Sequence, residues 1–156
     1  MSPAISFRSP DAASTQRFGE RLAALLAPGD VVWLLGPLGA GKTCLVQGVA
    51  RGLGVDPATP VTSPTFTLIG EYPARIPLRH ADFYRIESEQ RLFEIGFDDL
   101  LDGKGVLLVE WADRWPAALP AERLEIRIEP LGGDERLLTL SACGARAETL
   151  CARLGA

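Results

Sequence analysis

Three features of this sequence predict an α/β fold, a mixed and mostly parallel sheet with flanking helices and antiparallel hairpins. Two unbroken apolar runs, 31–35 and 106–109, read as parallel strands, because a strand covered on both faces shows no polar alternation. Segments with apolar residues at helical spacing lie between and around them and supply the covering layers. Late in the chain, 124–128 and 136–141 flank a turn-forming stretch, 130–134, and read as an antiparallel pair. With 156 residues, 47% of them hydrophobic and 23% charged, the chain suits one domain over 1–156 with a sizeable core.

The elements follow in order. Residues 1–12 read as extended or loosely ordered, with Ser-Pro steps at Ser2-Pro3 and Ser9-Pro10. Asp11 or Ser14 caps a helix over about 15–26, whose Phe18, Leu22, Leu25 and Leu26 share a face. Pro28-Gly29-Asp30 turns into the first apolar strand. The helix after residue 43 stops near Gly52 or Gly54. Pro57, Pro60 and Pro64 keep the next stretch from helix, and its length marks a functional loop. Residues 65–72 and 78–83 then read as strands of a hairpin around 73–77. A helix over 87–96 turns Leu92 and Ile95 to the core, 102–105 turns into the second apolar strand, and a short helix starts near Ala145. No internal repeat or linker interrupts this plan.

Charge and composition exclude several classes. A net charge of −4 and a pI near 5.0 argue against a dedicated nucleic-acid surface, which needs clustered positive charge. Cys44, Cys143 and Cys151 are odd in number and lack CxxC spacing, so neither a disulfide frame nor a zinc site is expected. The apolar runs fall well short of the roughly 18 residues of a membrane span. The N-terminus lacks the pattern of a signal peptide, so the expected compartment is the cytoplasm.

Chemistry concentrates in three places. Gly36-Pro37-Leu38-Gly39-Ala40-Gly41-Lys42-Thr43, between a strand and a helix, is a complete phosphate-binding loop. Its glycines let successive N–H groups, those around Gly39, Ala40 and Gly41 among them, turn inward, and the helix N-terminus adds partial positive charge. Lys42 places a cation on the outer phosphates, and the Thr43 hydroxyl can ligate magnesium. Glu110 ends the second apolar strand, where a carboxylate can hold magnesium or its water, or orient an attacking water. In His80-Ala81-Asp82-Phe83-Tyr84-Arg85, strand alternation sends His80, Asp82 and Tyr84 to one face. Either Asp82 is a second metal or water carboxylate, or it caps the next segment beside an ordinary His80. Thr65, in Ser63-Pro64-Thr65-Phe66-Thr67, either senses a γ-phosphate or serves turn chemistry. Trp111 either gates the site or meets a partner, or packs in the interior, as Trp33 is expected to do. Trp115 is expected to pack in a loop.

Taken together, Gly36 to Thr43, Ser63-Pro64-Thr65-Phe66, His80-x-Asp82-x-Tyr84-Arg85 and Val109-Glu110-Trp111 resemble, in order and spacing, the bacterial TsaE (YjeE) family. Thr15-x-x-x-Gly19-x-x-Leu22-Ala23 resembles that family's opening helix. The resemblance covers nearly the whole chain. It implies a single P-loop NTPase domain that binds ATP and Mg2+ and hydrolyses ATP slowly on its own. It also implies association with TsaB and TsaD, which attach threonylcarbamoyl to adenosine 37 of tRNAs reading codons that begin with A, so that tRNA is met only through the complex. On this reading Lys42, Asp82 and Glu110 are catalytic, with Thr43, Asp82 and Glu110 around the metal. Thr15 and Arg136 flank the base, and the Cys44 backbone N–H meets the α-phosphate. Cys44 stands where many relatives carry a second Thr, and its thiol would expose the site to oxidation. Thr65, His80, Tyr84, Arg85 and Trp111 form the switch and partner group.

Other P-loop classes fit less well. A GTPase usually reads guanine with an Asn-Lys-x-Asp motif, and this chain contains no Asn. A small-molecule or nucleotide kinase wants an Arg-rich helical lid, for which Pro116 and Pro120 leave little room. An ATP-sensing adaptor with incidental hydrolysis would use both carboxylates for metal alone.

Overall fold

Two residues of the sequence compete to cap the first helix, and Asp11 takes the position: its carboxylate accepts from the Ser14 N–H at 2.7 Å. In the computed structural model, which describes residues 4–155, this helix is the second element of a chain that runs β1 (Ile5–Ser9), α1 (Ala12–Leu25), β2 (Val31–Leu35), α2 (Lys42–Leu53), β3 (Ile69–Tyr72), β4 (Leu78–Asp82), α3 (Glu89–Glu94), β5 (Val106–Glu110), β6 (Arg123–Gly132), β7 (Glu135–Cys143) and α4 (Ala145–Leu154). Short 3-10 segments lie between α3 and β6. The Ser2-Pro3 step falls outside the described residues.

All seven strands join one sheet in the order β1-β7-β6-β2-β5-β4-β3. The pairs β6–β2, β2–β5 and β5–β4 are parallel, whereas β1–β7, β7–β6 and β4–β3 are antiparallel. The expected mixed sheet is present, but it is evenly mixed rather than mostly parallel. Its parallel centre is flanked by β3 and β7, which short hairpin connections return antiparallel to β4 and β6, and the N-terminal strand β1 adds antiparallel to β7 at the edge.

Alternation divides the interior into two cores. Val32 and Leu34 of β2, with Val106 and Leu108 of β5, point to the layer of α1, α2 and α4. Val31, Trp33 and Leu35, with Leu107 and Val109, point to the other face, where Leu92, Phe97 and Leu119 cover them. Both central strands are therefore buried at every position, which explains their unbroken apolar sequence. Helices α1 and α2 touch backbone to backbone, since a Cβ on Gly48 would run into the Gln16 carbonyl and one on Gly19 would lie 2.6 Å from the Leu45 carbonyl.

Several boundaries move for physical reasons. Of the two readings of the N-terminal segment, extended or loosely ordered, residues 5–9 take the first: they form a strand paired with β7, from Ile5 with Leu140 to Ser9 with Arg136. The strand expected over 65–72 starts only at Ile69. Residues 65–67 form a turn closed by the Leu68 N–H on the Pro64 carbonyl at 2.7 Å, with Leu68 at φ 72°. The helix expected over 87–96 contracts to Glu89–Glu94, capped by Ser88 and followed by Gly96 at φ 77°. Leu92 is buried, and Ile95 packs against the second core from a half-buried position. Strand β6 continues through Pro130, with a register irregularity between Pro130 and Gly132, so the turn expected over 130–134 shrinks to its far end. Among the described residues, no helix is long and apolar enough to cross a membrane.

Candidate functional site

Parallel register delivers the polar residues to one edge of the sheet. Asp82, the last residue of β4, lies beside Glu110, the last of β5, and Glu110 lies beside Leu34 of β2. The chain leaving β2 enters the Gly36–Thr43 loop at this same edge. In parallel α/β sheets the crevice at the strand carboxyl ends is where ligands sit. Here Gly39 to Thr43, Ser63, Thr65, Asp82, Tyr84, Glu110 and Trp111 line a cavity of about 350 Å³.

Backbone demands explain the glycine-rich loop. Gly36 has φ 144°, and a Cβ there would strike the Ile128 carbonyl. Helix α2 begins without a side-chain cap, which leaves its first N–H groups available to an anion. Arg136 braces the loop: its Nε donates to the Ala40 carbonyl at 2.7 Å. The trans peptide then sends the Gly41 N–H the opposite way. Lys42 folds back on its own loop, with Nζ donating to the Gly36 carbonyl at 2.6 Å and to that of Pro37 at 3.3 Å. The Trp111 ring covers the same ammonium, its centroid 4.0 Å from Nζ. Burial pushes the Lys42 ammonium below its ordinary value, against the pull of Glu110, Asp82 and Asp113.

The two carboxylates are each 3% exposed. Glu110 Oε2 lies 2.6 Å from Nε2 of the fully buried His80; a carboxylate oxygen accepts, so Nε2 is the donor, and Nδ1 has no hydrogen-bond partner among the described residues. Asp82 Oδ2 faces the Thr65 hydroxyl at 3.2 Å, and Asp82 Oδ1 accepts from the Tyr84 N–H at 2.8 Å. Asp82 therefore does cap the segment after its strand, while its other oxygen faces the cavity. Ser63 Oγ stands between the acids, 3.1 Å from Asp82 and 3.2 Å from Glu110. One hydroxyl carries one proton and can donate to only one of them at a time. Neither acid is paired with an Arg or Lys among the described residues.

Such a set suits a hard cation. Among the described residues no cluster of three or more His, Cys, Asp or Glu side chains forms a complete cage. Two carboxylates and the Thr43 hydroxyl offer oxygen donors on one cavity wall. Magnesium takes few protein ligands of that kind and completes its shell from water and phosphate.

The remaining expected residues are arranged around this centre. Trp111 adopts the left-handed conformation, φ 58°, which swings its ring over Lys42 and against Tyr84, with ring centroids 5.0 Å apart. Tyr84 itself has left the strand, which ends at Asp82. Arg85 lies over the exposed Phe66 ring at 4.7 Å. Thr15 is buried, with its hydroxyl 2.7 Å from that of Ser9, and does not line the cavity. Burial pushes the Cys44 thiol up, against the influence of Arg136 and Arg51, and a raised thiol resists the ionisation on which oxidation depends. Ser63 is the functional candidate that sequence reasoning passed over in favour of Thr65. Its place in the same Ser63-Pro64-Thr65 stretch was the available signal.

Residues 9–138 match the family described as Threonylcarbamoyl adenosine biosynthesis protein TsaE. The tRNA threonylcarbamoyladenosine biosynthesis protein TsaE of Bacillus subtilis is 44% identical over 151 residues, covering 96% of this chain and 93% of the relative. That of Treponema pallidum is 41% identical over 133 residues, covering 85% and 97%. The crystal structure of Bacillus subtilis YdiB superposes with a TM-score of 0.81 at 41% identity, over 99% of this chain and 95% of that one. By sequence and by fold, this chain belongs to the TsaE family.

Proposed function

We propose that this protein is the magnesium-dependent ATPase of a TsaB–TsaD–TsaE assembly that supports threonylcarbamoyladenosine formation at position 37 of tRNAs reading codons that begin with A. The observation that carries this reading is the convergence of the glycine-rich loop, buried Lys42 and two uncompensated carboxylates on one cavity. The loop N–H groups and the α2 N-terminus bind the phosphates, and Lys42 exchanges its carbonyl partners for phosphate oxygens. Thr43, Asp82 and Glu110 hold the magnesium, which supplies charge neutralisation of the β- and γ-phosphates. Glu110, oriented by His80, and Asp82, oriented by the Tyr84 N–H, share the tasks of holding the metal's water and aligning the attacking water. The γ-phosphate and its magnesium draw on the oxygens that Ser63 and Thr65 face, and departure of the γ-phosphate returns both hydroxyls to the carboxylates. Nucleotide state is thereby written onto the surface formed by Thr65, Phe66, Tyr84, Arg85 and Trp111, which TsaB and TsaD read.

The test has two parts. Calorimetric titration of wild-type protein and Lys42→Ala with ATP–Mg2+ should show binding only in the first. Depletion of the protein in its native cell should lower threonylcarbamoyladenosine in tRNA. Normal modification after depletion would remove the pathway assignment and leave a nucleotide or small-molecule kinase as the better reading.

A further inference from the structure

Helix α2 carries Thr43 at its start and Gln47 one turn later, on the same face. Gln47 does not line the nucleotide cavity. Its Nε2 donates to the Val61 carbonyl at 3.0 Å, two residues before Ser63. Its Oε1 accepts from Gln16 Nε2 at 3.2 Å, Gln16 Oε1 accepts from Arg51 at 3.2 Å, and Arg51 donates to Glu20 at 3.0 Å. The direction of this chain is fixed at both ends. A carbonyl can only accept and a guanidinium can only donate, so each amide has one orientation. Along residues 56–62 the other hydrogen bonds among the described residues are local, from Thr59 and Ala58 back to Asp56. Gln47 thus ties the approach to Ser63 to the helix that begins with Lys42 and Thr43.

We propose that Gln47 is a positioning residue: through Val61 it holds the Ser63 hydroxyl between Asp82 and Glu110 and sets the alignment of the hydrolytic site. This rests on the ATPase reading above. Because the tether runs through the backbone of 61–63, it governs where Ser63 and Thr65 stand rather than how phosphates are bound.

Gln47→Glu keeps the shape and removes the donor, setting a carboxylate against the Val61 carbonyl. Gln16→Met removes the support of the Gln47 amide and should act in the same direction, more weakly. In the full-length protein without nucleotide, backbone 15N order parameters at Val61, Thr62, Ser63 and Thr65 should fall from roughly 0.85 to below about 0.6 in Gln47→Glu. With ATP–Mg2+, turnover should fall roughly 10-fold or more while the dissociation constant moves less than about twofold. Unchanged order parameters overturn the tether. A mobile loop with wild-type turnover overturns the positioning role, as does a loss confined to affinity. Wild-type protein that does not hydrolyse ATP overturns the ATPase reading and the kinetic half of this proposal with it, and the order parameters, read without nucleotide, tell that failure from a failure of the tether.

Discussion

The two ends of strand β2 each have buried acids beside them, and the acids are treated in opposite ways. At the entry, Asp30 is 8% exposed and fully answered: Arg146 approaches both its oxygens, at 3.0 and 2.9 Å, and the Ala27 N–H donates to it at 2.8 Å. At the exit, Asp82 and Glu110 are buried more deeply, yet only hydroxyls, a backbone N–H and an imidazole answer them. A cation is within electrostatic reach, but Lys42 spends its hydrogen bonds on its own loop. Burial alone therefore does not mark a functional acid. What distinguishes the exit is burial without a matched counter-charge, which is costly in a resting protein and useful to one that receives a metal.

This contrast yields graded expectations. The largest effect belongs to Lys42→Ala, which on the proposed reading removes the cation that meets the phosphates, and should weaken ATP–Mg2+ binding by roughly 100-fold or more in a folded protein. Calorimetry together with thermal unfolding checks both halves. Glu110→Gln and Asp82→Asn come next. Each removes a charge that the resting site does not balance, so turnover measured with TsaB and TsaD should drop by roughly 100-fold, and thermal stability should stay level or rise. A marked fall in melting temperature in these variants would erase the distinction between the two ends. Asp30→Ala should behave in the reverse manner, leaving ATP affinity intact. It strands the Ala27 N–H and a partly solvated Arg146, at a cost of about 2 kcal/mol after allowance for that exposure. Denaturant titration reads this directly.

Trp111→Ala should be milder still, losing about 1 kcal/mol of contact with the Lys42 ammonium and weakening association with TsaB–TsaD more than the fold. The smallest effect lies in the Arg79–Asp102 pair, far from both acid sites in role. Hydrogen bonding from Arg79 holds Asp102 down at about 2, below its unfolded value of roughly 3.9. Its stabilisation is therefore complete above the unfolded value and is lost as pH falls through the folded one. The difference in melting temperature between wild type and Asp102→Asn should be present at pH 5 and shrink toward pH 2.

Much of this was legible from residue order. The apolar strands, the glycine-rich loop and the αL stop at Gly54 follow from burial, spacing and backbone freedom, which act locally. The shared face of His80 and Asp82 followed from strand alternation, whereas Tyr84 escaped it because the strand ends two residues earlier. The turn at 65–67 was not legible, since Thr65 and Phe66 favour strands and only the Pro64 carbonyl, closing on Leu68, decides otherwise. Nor was Arg136 as a brace of the loop, or Ser63 between the acids. Those roles depend on register between segments 47 to 97 residues apart, which no local pattern encodes.

The place of β5 between β2 and β4 has a consequence for how the protein comes to be. Lys42, Asp82 and Glu110 reach one cavity only once β4, β5 and β2 lie in register, and parallel partners must wait for the intervening crossovers to close. Asp82 and Glu110 meet on the β4–β5 pair, and Lys42 joins them only when β2 docks beside β5. A ligand that engages all three residues therefore selects the completed sheet and stabilises it by mass action, so its presence during refolding should be felt in the unfolding rate and scarcely in the folding rate.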